Sequence, residues 1–159
     1  MSYVQIVGTE LTSTGDEVAK HTPGSRVVID NCEYIYVKYD NGTAVASAAG
    51  LEAFWKDAST FTVTCDYSDA GSVLNLVAGI MLAIVTDGYY AWMQVRGLKT
   101  VVANGDGDIA AGDILIAGAA DTGVNCIAAG SNITNRIVGV AVAADNSTGL
   151  TVSAYLTLW

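Results

Sequence analysis

The chain has 159 residues, enough for one domain whose core holds without cross-links. Charged residues make up 14% of it and hydrophobic ones 52%, where an ordinary soluble domain is about 25% charged. The formal net charge is −9, and the seven bases are scattered along the chain, which argues against nucleic acid and against an anionic membrane surface as partners. A surface this poor in charge is expected to be covered by sister subunits or by a larger partner.

Residues 1–24 are expected to be an N-terminal arm: 8–24 show little periodicity and read as extended, with Pro23-Gly24 as a turn. The start, "MSYVQIVGTE", lacks the basic segment and apolar run of a secretory signal, so synthesis in a reducing cytoplasm is the expectation. Cys32, Cys65 and Cys126 are odd in number and have no C-x-x-C spacing. Reduced, buried thiols are expected rather than a disulfide framework. Residues 25–159 are expected to form a single β domain.

"SRVVID" (25–30) and "EYIYVKY" (33–39) flank Asn31-Cys32 and read as a hairpin, ended by Asp40-Asn41-Gly42. At most one short helix is expected, near "AVASAAGLEAFWKDA" (44–58). "STFTVTCDY" (59–67) alternates as a strand does.

The stretch "VAGIMLAIVTDGYYAWMQVRG" (77–97) is the most apolar part of the chain. It is too short for a spanning helix, which needs about 20 apolar residues. It also lacks the polar face of an amphipathic helix. Asp87-Gly88 is a two-residue hairpin signal, because glycine accepts positive φ without steric cost. Such a turn puts Ile80, Leu82 and Ile84 on one face with Tyr89, Ala91, Met93 and Val95, the expected core. Tyr90, Trp92, Gln94 and Arg96 share the other face with Met81, Ala83 and Val85, and that face has the character of a contact surface.

Strands are expected in "KTVVA" (99–103), "DILIAG" (113–118), "NCIAA" (125–129), "NRIVGVAVA" (135–143) and "LTVSAYLTLW" (150–159). The segment "VAGIMLAIV" (77–85) is echoed by "IVGVAVAAD" (137–145), each with glycine third and each followed by a turn and a second strand. Gly79 and Gly139 then mark bulges or tight crossings. Short strands separated by Gly/Asp/Asn turns define the expected fold class: all-β, an antiparallel β-sandwich or barrel built of hairpins.

Chemistry-bearing residues are sparse. His21 is the one histidine and sits in the arm, so neither a zinc site nor a Ser-His-Asp triad is expected. Asp106, Asp108 and Asp113 in "NGDGDIAAGD" do not follow the calcium-loop pattern and read as a solvated turn. No catalytic residue, metal or cofactor is expected. Trp55, Trp92 and Trp159 are candidate platforms for sugars, and more commonly such residues anchor cores or interfaces.

Four stretches then resemble one family: "HTPGSRVVIDNCEYIYVKYDNGTAVASAAG" (21–50), "VAGIMLAIVTDGYYAWMQVRG" (77–97), "VVANGDGDIAAGDILIAGAADTGVNCIAAG" (101–130) and "IVGVAVAADNSTGLTVSAYLTLW" (137–159). Their turn-and-strand pattern is similar to that of the head decoration, or cement, proteins of tailed bacteriophages. The resemblance implies a non-enzymatic structural protein on the exterior of the virion, made in the host bacterial cytoplasm. It implies the major capsid protein and further copies of the chain, as a homotrimer, for partners. Tyr90, Trp92 and Arg96, with Trp55 and Trp159, are the expected contacts to capsid or sister subunits. The arm is expected to order on binding and strap a neighbour. A virion-associated carbohydrate-binding module of a fibre or tail is the alternative.

Overall fold

The computed structural model describes residues 11, 14–71, 77–105, 109–118, 123–127, 137–145 and 150–158. Among them are ten strands, one 3₁₀ turn at Tyr67–Asp69 and no α-helix, so the all-β expectation holds. The strands are β1 (Arg26–Ile29), β2 (Cys32–Tyr39), β3 (Glu52–Asp57), β4 (Thr62–Thr64), β5 (Val77–Met81), β6 (Tyr90–Val102), β7 (Ile114–Ile116), β8 (Asn125–Cys126), β9 (Ile137–Ala141) and β10 (Thr151–Thr157). Their hydrogen-bonded order is β1-β2-β4-β3-β5-β6-β10-β9-β7-β8, and β2 also pairs with β6. That extra pairing closes β2-β4-β3-β5-β6 into a five-stranded barrel. Closure removes the exposed edges that an open sheet of this composition would present.

The first hairpin forms as expected, with its turn one residue earlier. Ile29 faces Cys32 across the ladder, so the loop is Asp30-Asn31, with φ of 50° and 64°. A two-residue loop that follows the strand twist needs positive φ at both positions, and after glycine Asn and Asp tolerate it best.

The one place where a helix is plausible, 44–58, holds none; residues 52–57 are strand β3. Ala48-Ala49-Gly50-Leu51 forms a tight turn, with the Leu51 N–H donating to the Ala48 carbonyl (3.1 Å) and Gly50 at φ 86°. Alanine is the best helix former, but propensity is a small effect, and the pairing of β3 with β4 and β5 on its two sides outweighs it.

The stretch 77–97 is two strands, but not a two-residue hairpin. The Asp87-Gly88 turn exists, with the Tyr89 N–H donating to the Thr86 carbonyl (3.1 Å). Yet β5 ends at Met81, and the Ser47 hydroxyl accepts the Val85 N–H at 2.7 Å, drawing the chain out of the ladder. Residues 82–89 are therefore a loop. Ile80 lies opposite Gln94 and Met81 opposite Met93, one residue off the register a two-residue turn imposes. A one-residue slip exchanges faces. Ile84, expected in the core, is 65% exposed, and Met81 joins Met93 and Ile35 in a common buried set.

The weak echo in the sequence proves to be a duplication of the whole five-strand plan. Glu52, Ala53 and Phe54 of β3 face Ile80, Gly79 and Val77 of β5; Ile114, Leu115 and Ile116 of β7 face Val140, Gly139 and Ile137 of β9. Both ladders skip one residue, Ala78 or Val138, just before the glycine. The Gly50 N–H donates to the Met81 carbonyl and the Met81 N–H to the Leu51 carbonyl; Gly112, Ala141 and Asp113 repeat this pair of bonds. The turn before β3 recurs before β7 as Ala110-Ala111-Gly112-Asp113, with Gly112 at φ 94°. Asp40 N–H bonds the Val63 carbonyl, and Asn104 N–H bonds the Val124 carbonyl.

The first repeat thus runs from β2 through β3, β4 and β5 into the first half of β6. The second starts in the last half of β6 and runs through β7, β8 and β9 to β10. A parallel bridge between Ala103 and Val124 ties β8 back to β6, as β2–β4 pairing does in the first repeat. The two repeats share β6, and one continuous apolar core runs through both, from Ile35 and Met93 to Val138 and Leu156.

Candidate interaction surfaces

β2 and β6 place Tyr36 opposite Trp92 and Tyr34 opposite Gln94. Alternation points Tyr36 and Trp92 away from the barrel interior, where a sheet face is normally wet. Here it is covered. Tyr36, Trp92 and Leu82 form a second buried cluster, edged by Leu11, Val27, Tyr34 and Tyr90. His21 meets the edge of the Tyr36 ring with centroids 5.2 Å apart, and lies 5.3 Å from Trp92. Tyr90 stacks on Tyr36 at 6.1 Å.

What covers this face is the segment before β1. Asp16 exchanges backbone hydrogen bonds with Tyr90, at 2.7 and 2.9 Å. Its carboxylate accepts the Tyr36 hydroxyl at 2.7 Å and pairs with Lys20. Burial pushes the Asp16 carboxyl up, but the bonds from Lys20 and Tyr36 outweigh it and hold the group below its ordinary range. Tyr36 is pushed up to about 12, by burial first and by its bond to Asp16 second. So the described part of the arm, residues 11 and 14–24, straps its own barrel. The rest of the arm lies outside the described residues.

This decides where the expected contact residues fall. Trp92 is 4% exposed inside its own chain, which corrects its assignment as a contact side chain and as a sugar platform. Tyr90 is half-buried at the rim of the same cluster, and Arg96 is exposed further along β6. Trp55 is half-buried against the edge of Phe61, on β3. Trp159 lies outside the described residues. Tyr90 and Trp92 are thus brought together, while Arg96 and Trp55 stand apart from them.

The acids do structural work in the turns. Asp66 accepts from the Thr43 and Ser68 backbone N–H groups and from both hydroxyls, which hold its carboxyl well below the usual range. Lys56 bridges Asp40 and Asp69. Asp113 accepts the Ala110 N–H and so closes the turn before β7. Asp106 and Asp108 lie outside the described residues.

The sequence reading missed another surface. Leu98, Tyr155, Val140 and Ile114 stand directly opposite one another on β6, β10, β9 and β7. All four are exposed, from 39% to 59%. The four residues come from four separate strands, so no single segment advertises the row. The strand order assembles it.

The described residues therefore form an all-β chain made of two five-stranded repeats on a shared strand. No protein-family model matches the chain, and no curated protein matches it in sequence. A solved structure does match in fold: the N base of the head fibre gp8.5 of bacteriophage phi29. The likeness covers 78% of this chain and 92% of that one, with a TM-score of 0.51 and 16% sequence identity.

Proposed function

We propose that the chain is a non-enzymatic structural protein of a bacteriophage virion, seated on the outer surface of the head. The observation that carries this is the fold shared with the N base of a phage head fibre, over nearly all of that base. Composition supports it from another side. A net charge of −9 and a charged fraction of 14% suit a protein that covers its surface with protein and keeps away from packaged DNA.

In this reading the chain binds the major capsid protein across neighbouring subunits and associates with further copies of itself. Stabilisation of the shell follows from mass action. A ligand that binds the assembled shell alone shifts it away from disassembly by RT ln(1 + [L]/Kd). The test is co-sedimentation of the purified chain with capsids that lack it, followed by heating. Saturable binding and release of DNA at a higher temperature are expected. Failure to bind intact heads, or electron-microscopy density on the tail alone, removes the proposal.

A further inference from the structure

The two repeats differ in what lies over one corresponding row. In the first repeat the row is Glu52, Ile80, Gln94 and Tyr34, opposite one another on β3, β5, β6 and β2. Glu52, Ile80 and Gln94 are 2% exposed or less. The second repeat lies over them. The Gly118 N–H, just after β7, donates to the Glu52 carboxylate at 3.0 Å, and the Gln94 amide donates to the Leu98 carbonyl at 3.0 Å. In the second repeat the same positions hold Ile114, Val140, Tyr155 and Leu98. Among the described residues nothing buries them, and the places of Glu52 and Gln94 are taken by Ile114 and Tyr155. A row whose polar members have turned apolar while losing their cover is the reverse of what solvent exposure favours.

The row spans four strands, about 14 Å at the usual strand spacing. Val142, one residue past the end of β9, and Ile137, opposite Ile116, widen it, and both are exposed. None of these six side chains is charged.

We infer that this face is a self-association surface, covered in the assembled protein by a second copy of the chain. The inference rests on the self-association put forward above and names its surface. Two features select a copy as the occupant. The corresponding row of the first repeat is already an interface between two five-stranded units of this chain, so the backbone frame is one that such a unit covers. And copies that each carry −9 repel unless they meet through an uncharged face. Tyr155, at the centre of the row, is the aromatic anchor.

The experiment is the mass of the purified chain at micromolar concentration, without capsids, by sedimentation or light scattering. The wild type is expected to be an oligomer. Val140→Glu is expected to weaken association by about 100-fold or more, as loss of a central contact does, with an unchanged far-ultraviolet spectrum. Leu98→Lys, at the exposed end of the row, tests the same face with less risk to folding. Val18→Glu, a control at an exposed apolar residue of the arm, is expected to leave the mass unchanged. A monomeric wild type overturns the inference, as does an oligomer that survives both Val140→Glu and Leu98→Lys. A monomeric wild type that still binds capsids, and loses that binding with Leu98→Lys, assigns the row to the capsid and leaves the head-binding proposal standing.

Discussion

The two repeats share a backbone plan and differ in their outer faces. In the first, the β2–β6 face carries Tyr36 and Trp92 and is closed over by residues 14–21. In the second, the corresponding pair on β6 and β10 is Thr100 and Ser153, which need no cover. The β3–β5–β6 row of the first repeat is buried beneath the second, while the β7–β9–β10 row stays open. Duplication therefore set the ladder geometry twice, and side-chain chemistry then gave each copy its own neighbours. An apolar face and its cover occur together in the first repeat, so an apolar face without cover in the second calls for a partner.

The two ladders differ most at the glycines that both need. A Cβ at Gly139 would overlap the backbone carbonyl of Tyr155, while one at Gly79 would come within 2.7 Å of the Met93 sulfur. Backbone cannot yield and a methionine side chain can. Gly139→Ala is expected to cost of order 4 kcal/mol, at the exceptional end for one substitution, and Gly79→Ala about 1–2 kcal/mol. Urea unfolding of the two variants measures the difference; equal losses would contradict it.

The next effect concerns the covered face. Trp92→Ala should cost about 3 kcal/mol through the cavity it leaves. Ser153→Ala, at the corresponding position of the second repeat, should stay within about 0.5 kcal/mol. If Trp92→Ala proved as mild as Ser153→Ala, the arm would not be sealing that cluster.

The smallest effect is a pH dependence of the strap. The Asp16 carboxyl is held below its unfolded value, so its contribution is present above the ordinary carboxylate range near pH 4. It is lost as pH falls through the lower folded value. Asp16→Asn should remove about 1 kcal/mol near neutral pH and abolish this acid-side loss. Hydrogen exchange at the Tyr90 amide, bonded to the Asp16 carbonyl, reports it. Protection of that amide, relative to its intrinsic exchange rate at each pH, that is independent of both pH and substitution would contradict the strap.

Much of the architecture was legible because local rules decide it. Gly/Asp/Asn turns between β-branched and aromatic runs gave an all-β reading that the structure bears out. The first hairpin was found to within one residue, since positive φ confines its turn to residues that tolerate it. The glycine echo at 79 and 139 was visible because a bulge beside a crossing strand excludes any side chain. Its full extent was hidden, because hydrogen bonding repeats in the backbone while most side chains do not.

Other features were beyond local rules. The loop 82–89 depends on the Ser47 hydroxyl, 38 residues away from Val85, to end β5 early. The burial of Trp92 depends on a segment some 70 residues before it, with His21 and Asp16 folding back across the barrel. The open row of Leu98, Tyr155, Val140 and Ile114 exists because four strands from different parts of the chain are neighbours. The sequence alone determined the strand content, the turns that demand glycine or Asn/Asp, and the scarcity of charge, all of which act within a few residues. The tertiary structure alone decided the register, which outward faces are covered and which apolar row is left without a neighbour, because each depends on contacts between distant segments.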